Sequence, residues 1–231
     1  MNKIDKNAVI EEKFILAEKL YQEKNLEIAE STFSEILDLN PFHFKSIMLL
    51  ASVSVQLKKF DKAKLLFEKA IKIDPKFIPA LNNLGNVEKL LGNLNNSINC
   101  FKKIIQINPN YINAFYNLGI VFFEYGDYEK SKQFYEKTIQ ISPKHVNSFY
   151  NLAQVFSEMG EYEQTVNCYK KAIEINPSFV AAHNNLGLAL TEIGKFEEAI
   201  LSYNKAIEIE PGHASSYNNL GLAFTELGKF S

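Results

Sequence analysis

The sequence predicts an all-α array of antiparallel helix pairs with a 34-residue period. Three series of residues predict it. Pro41, Pro75, Pro109, Pro143, Pro177 and Pro211 are each 34 residues apart, and only Pro79 is out of phase. Gly92, Gly126, Gly160, Gly194 and Gly228 keep the same period. So do the aromatic residues Phe33, Phe67, Phe101, Tyr135, Tyr169 and Tyr203. Proline cannot continue a helix and glycine favours a left-handed C-terminal cap, so each period holds two helices with a stop after each.

The units run 10–43, 44–77, 78–111, 112–145, 146–179 and 180–213, with a partial unit at 214–231 and an N-terminal extension at 1–9. Residues 10–231 read as a single array. Unit one lacks the turn glycine, with Lys24 in its place, as expected of an atypical capping repeat. Leu50-Ala51 in unit two is in phase with Leu84-Gly85, Leu118-Gly119, Leu152-Ala153, Leu186-Gly187 and Leu220-Gly221, and Leu16-Ala17 precedes them. Unit four shows the helices plainly. Apolar residues fall at 115, 118, 121, 122 and 125 up to Gly126, and a second stripe runs from Tyr128 through Tyr135 and Ile139 to Ile141. Each helix is about 14 residues, or roughly 21 Å long. Unit seven stops at Ser231, where its second helix is due. Leu220, Phe224, Leu227 and Phe230 are then expected to lack a packing partner, and the natural product to continue.

The pattern resembles the tetratricopeptide repeat family, whose period is 34 residues. Unit six carries it best, in Leu186, Gly187, Leu190, Ala199, Tyr203, Ala206 and Pro211. The family's usual tryptophan is absent; Phe115, Phe149, His183 and Tyr217 stand in its place. The resemblance implies a right-handed superhelical solenoid whose first helices line a concave face. No unit buries enough apolar surface to fold alone, so neighbours must stack.

Composition narrows the function. The chain has 231 residues, 46% hydrophobic, with net charge −2. All 25 basic residues are lysine, so no guanidinium fork is present for bidentate recognition of phosphate or carboxylate. No basic run outlasts a Lys-Lys pair, which argues against nucleic acid as partner. No apolar stretch is long enough to cross a membrane, and the N-terminus has no secretory signal, so a cytoplasmic protein is expected. His43, His145 and His213 share a phase two or more repeats apart, as do Cys100 and Cys168, spacings that suit neither a metal nor a disulfide. No cofactor and no metal are expected. Glu124, Glu158, Glu192 and Glu226 read as solvated surface.

The candidate binding residues are an asparagine ladder, Asn83, Asn117, Asn151, Asn185 and Asn219. An amide donates and accepts together, so such a ladder can pair with a peptide backbone without reading its sequence. The series is similar to the ladder in the array of O-linked N-acetylglucosamine transferase. The alternative is that each side chain bonds neighbouring backbone. Beside the ladder lie Asn82, Tyr116, Tyr150 and Asn184, suited to an adaptable surface. Phe14, Ile15, Met48 and Leu49 replace the polar residues in units one and two. Lys45 and Lys89 alone are basic in the groove, too few for a carboxylate clamp. The expected function is a protein–protein interaction scaffold without catalysis of its own, holding an extended peptide or a helix in its concave groove. The alternatives are the substrate-recognition arm of a modular transferase and an array that self-associates through its C-terminal end.

Overall fold

The structure is a computed structural model; it describes residues 3–230, and side chains from residue 6 to residue 228. Thirteen helices and no strand occur among the described residues. They are α1 (Lys3–Gln22), α2 (Leu26–Leu39), α3 (Phe44–Gln56), α4 (Phe60–Ile73), α5 (Ile78–Leu90), α6 (Leu94–Ile107), α7 (Ile112–Glu124), α8 (Tyr128–Ile141), α9 (Val146–Glu158), α10 (Tyr162–Ile175), α11 (Val180–Glu192), α12 (Phe196–Ile209) and α13 (Ala214–Phe230). The chain forms two compact units, Met1–Ala114 and Phe115–Ser231, divided within α7. In the first, α1 to α6 pack each on the next; in the second, α8 to α13 do the same. Residues 3–9 are helical and continuous with the rest of α1.

Within each unit, α3 and α5, and α9 and α11, pack on the preceding helix as well as on their own partners. In the first unit Leu50 joins Phe14, Phe33 and Ile36 in one core cluster, and Leu84 joins Phe67 and Ala70 in the next. In the second unit Leu152 packs with Tyr135, and Leu186 with Tyr169. Leu16, in the same phase on α1, is 51% exposed. The phase therefore marks the face turned to the preceding repeat. Phe14 is buried edge-on against Phe33, Met48 and Leu49 pack on the first unit's two clusters, and Ile15 is exposed.

The turns inside the pairs use one geometry. Gly92 has φ +77°; its N–H donates to Lys89 O, and Asn93 N–H donates to Glu88 O at 2.8 Å, which satisfies two end carbonyls. Lys24 and Lys58 adopt the same left-handed conformation, with φ 65° and 58°, and the same pair of bonds. The fold imposes the turn even where a side chain makes it costly. Gly228 departs from the expected series. It lies inside α13, because glycine permits a left-handed cap without requiring one. Leu220 also departs, since it packs on the cluster of Leu190, Tyr203 and Ala223, while Phe224 is 53% exposed. Phe230 lies outside the described side chains.

Between pairs, the residue ahead of proline closes the turn. Asn40 Oδ1 accepts from Phe42 N–H at 3.1 Å and Asp74 Oδ1 from Lys76 N–H at 3.0 Å, the geometry of an Asx turn. The ring at the end of that turn then packs on the preceding first helix, as Phe77 does on Phe44 at 5.0 Å and His145 on Tyr116 at 5.0 Å. Histidine adds a nitrogen to this task. His43 Nδ1 lies 2.8 Å from Ser46 Oγ, His145 Nδ1 2.9 Å from Ser148 Oγ, and His213 Nδ1 2.7 Å from Ser216 Oγ. Where the ring is Phe77, Tyr111 or Phe179, the residue three on is Ala80, Ala114 or Ala182. The three histidines are thus partners for buried helix-start serines.

Burial holds the His145 imidazole below the ordinary histidine range. Its contribution to stability is complete above the unfolded value of about 6.5 and is lost as pH falls from there through the folded value. Replacing the pair with the residues of a sister repeat, His145→Phe with Ser148→Ala, is expected to reduce the drop in melting temperature between about pH 7.5 and about pH 5. An equal drop in wild type and variant, measured by circular dichroism, would reject this role.

Candidate functional site

The ladder asparagines lie on α5, α7, α9, α11 and α13, each half-buried and one residue ahead of the phase leucine. In the second unit they form a line of hydrogen bonds between successive first helices. Asn151 Nδ2 donates to the Tyr116 hydroxyl at 3.1 Å and to Tyr135 at 3.3 Å. Asn185 Nδ2 donates to Tyr150 at 3.0 Å and to Tyr169 at 3.5 Å. Asn219 Nδ2 donates to Asn184 Oδ1 at 3.0 Å, which also accepts from Ser216 Oγ. The register is constant: each ladder amide reaches the residue 35 positions earlier. The bonds chain α7 to α9, α9 to α11 and α11 to α13, so these helices share one face.

The amide ends differ in availability. The donor ends of Asn151, Asn185 and Asn219 are engaged within the protein, and a ligand N–H would meet the carbonyl end, which at Asn185 already accepts one bond and has a second lone pair. Asn184 is buried, with its nitrogen on Asn185 Oδ1 at 3.1 Å and its oxygen accepting twice. Tyr116 and Tyr150 accept from the ladder, and burial holds both phenols above the ordinary tyrosine range. Asn117 is half-buried on α7. In the first unit Asn82 Nδ2 lies 3.5 Å from Asn83 Oδ1, and Asn83 lines a pocket of about 270 Å³ with Ser52, Gln56, Asn86 and Leu90.

The second unit holds a pocket of about 340 Å³ beside its ladder. Asn185, Tyr169, Tyr162, Phe123 and Gln154 line it, together with Glu158 and Glu192. These two glutamates read as plain solvated surface in the sequence. Their shared phase is the signal that places them on the first-helix face.

Nucleophilic and metal chemistry find no support in the geometry. Burial pushes the Cys100 thiol up to about 11 and the Cys168 thiol up to about 12, away from the reactive thiolate. Among the described residues no group of three or more His, Cys, Asp or Glu side chains could hold a metal ion. No described helix is long and apolar enough to cross a membrane.

Family profiles described as TPR repeat match residues 85–126, 154–194 and 187–228, together about half of the chain. The chain belongs to the tetratricopeptide repeat family. Profiles described as Tetratricopeptide repeat also match residues 44–77, 66–98, 112–145 and 134–166 of this tetratricopeptide repeat protein. No curated protein matches the sequence. Solved tetratricopeptide repeat structures do resemble it. The crystal structure of MamA is 27% identical, aligning 74% of this chain with 93% of that one at a TM-score of 0.66. YrrB, described as a TPR protein with an unusual peptide-binding site, is 17% identical over 80% of this chain and 96% of its own, at 0.63. A tetratricopeptide repeat protein from Parabacteroides merdae is 16% identical over 94% and 99%, at 0.74. The last two likenesses bear on the fold alone.

Proposed function

We propose that this tetratricopeptide repeat protein is an interaction scaffold, and that the first-helix face of its second unit holds an extended peptide. The observation that carries the reading is the line of amides and phenols that runs from α7 to α13 with a pocket open beside it. The amide carbonyls accept peptide N–H groups whatever the sequence, and Tyr116 and Tyr150 add a local preference. The resemblance of the ladder to that of the O-linked N-acetylglucosamine transferase array supports the same use. The protein acts without catalysis of its own, in a reducing cytoplasmic compartment consistent with its free cysteines.

The test is fluorescence anisotropy of a neutral, unstructured 12-residue peptide, built of Gly, Ser and Ala with Gln at every third position. It is expected to bind with a Kd of about 1 mM or tighter. Asn117→Ala with Asn151→Ala and Asn185→Ala is expected to weaken it at least tenfold, or about 1.4 kcal/mol. The variant also loses bonds between helices, each worth about 1 kcal/mol, so its melting temperature falls while its helical spectrum persists. Unchanged affinity in a folded triple variant would sink the ladder as a binding element.

A further inference from the structure

The charge on α7, α9 and α11 is one-sided. Helices α7, α9 and α11 carry one charged residue each, and in every case it is a glutamate: Glu124, Glu158 and Glu192. None of the three helices contains a lysine. The lysines of the second unit that form ion pairs do so elsewhere, as Lys170 does with Glu198, Lys171 with Glu174 and Lys205 with Glu208.

The position of the glutamates adds a second, independent observation. Each is the last residue of its helix, where the backbone already presents the negative end of the helix dipole. A carboxylate there costs stability, and three successive first helices bear that cost. The corresponding helices of the first unit do not: α3 ends in Gln56, and α5 in Leu90 after Lys89. Glu158 and Glu192 are both exposed, and the hydrogen bond shown for Glu158 is a long one, 3.4 Å from the Tyr128 hydroxyl. Both line the pocket with the rings of Phe123, Tyr162 and Tyr169. Carboxylates beside aromatic faces suit an ammonium or guanidinium group, which gains charge-assisted hydrogen bonds and cation–π contact together.

We infer that the second unit selects basic peptide segments, with Glu158 and Glu192 receiving a lysine or arginine side chain of the partner in the pocket beside Asn185. The inference rests on the peptide-binding reading above and gives that site its partner class. Backbone pairing by the amides holds the segment; the glutamates choose it. The contact is electrostatic and weakens as salt rises.

The experiment compares three peptides on the full chain by fluorescence anisotropy: the neutral Gln peptide, and its counterparts with Lys or Glu at the same positions. The Lys peptide is expected to bind at least tenfold tighter than the Gln peptide, and the Glu peptide weaker than both. Glu158→Gln with Glu192→Gln is expected to abolish the Lys preference and raise the melting temperature, because the dipole conflict is relieved. Glu174→Gln with Glu208→Gln removes the same charge from second helices and is expected to retain the preference. Equal binding of Lys and Gln peptides overturns the inference while the peptide site stands. A preference that survives Glu158→Gln with Glu192→Gln, or that is lost equally in the Glu174 and Glu208 control, overturns it as well. If no peptide binds, the peptide site itself fails and the inference falls with it.

Discussion

Gly187→Leu is expected to destabilise the second unit by about 3 kcal/mol, lowering the melting temperature by roughly 6–12 °C. A Cβ at Gly187 meets Tyr203 Cε1 at 2.5 Å and Cζ at 2.7 Å. Tyr203 is 1% exposed within the cluster of Leu190 and Ala199, and its hydroxyl lies 3.4 Å from Thr191 Oγ1, so the ring has no free direction in which to withdraw. Gly119 against Tyr135 and Gly85 against Phe101 repeat the contact, at 2.6 and 2.7 Å. The same position is alanine at Ala17, Ala51 and Ala153, opposite Phe33, Phe67 and Tyr169, all in well-buried cores. A single methyl is therefore accommodated when the ring is set for it. Gly187→Ala should cost less than Gly187→Leu, because better helix propensity, worth about 1 kcal/mol, offsets part of the overlap. Loss should spread from α11 to its neighbours α12 and α13, since each repeat is held by the next. Hydrogen exchange across α11–α13 reads this directly. A leucine variant with wild-type melting temperature and exchange would refute the close approach.

The helices and their turns were legible because every repeat reports the same constraint. Tyr128 to Ile141, delimited by stripe and proline, is α8 to the residue. The phase leucine was legible as core, but its direction was not. The clusters that join Leu50 to Phe33 and Leu152 to Tyr135 show that the residue packs backward. Gly228 misled for a related reason: a glycine records what the backbone is allowed, and helix was allowed as well. The ladder was visible as a series of amides, yet its partners were not. Asn151 reaches Tyr116 in the preceding repeat, a pairing set by how two helices superpose rather than by spacing within one. Glu158 and Glu192 were legible as exposed surface and are exposed; the pocket they line was not legible. A carboxylate at a helix end reads as surface until the rings of Phe123 and Tyr169 are seen beside it. The histidines were dismissed as ligands on spacing, and their bond to a serine three residues on was in the sequence throughout, as His-Ser against Phe-Ala.

Lys64→Met is expected to cost the first unit about 3 kcal/mol, against a smaller loss for Glu88→Leu. Glu88 stands in α5 at a phase held elsewhere by Phe122, Phe156 and Leu190, and it is 2% exposed. Lys64 Nζ approaches its Oε1 at 3.0 Å, and the amide nitrogens of Asn93 and Asn96 donate to it at 2.7 and 3.4 Å. The two partners are not equivalent. Without Lys64 the buried carboxyl group is left with only the neutral donors Asn93 and Asn96. Without Glu88 the lysine, whose side chain is 26% exposed, can carry its ammonium to water along the surface. The hydrogen bond to Glu88 raises the Lys64 ammonium above the ordinary lysine range, so the pair's stabilisation is present below the unfolded value of about 10.4 and is lost as pH rises through the folded value. Lys64→Met with Glu88→Leu places the leucine that Leu190 provides in unit six and should recover most of the loss, since a well-packed apolar pair often equals a buried ion pair. Urea midpoints of the three variants at about pH 7.5 decide the matter. Equal losses for Lys64→Met and Glu88→Leu would show that the network is held by packing and not by charge.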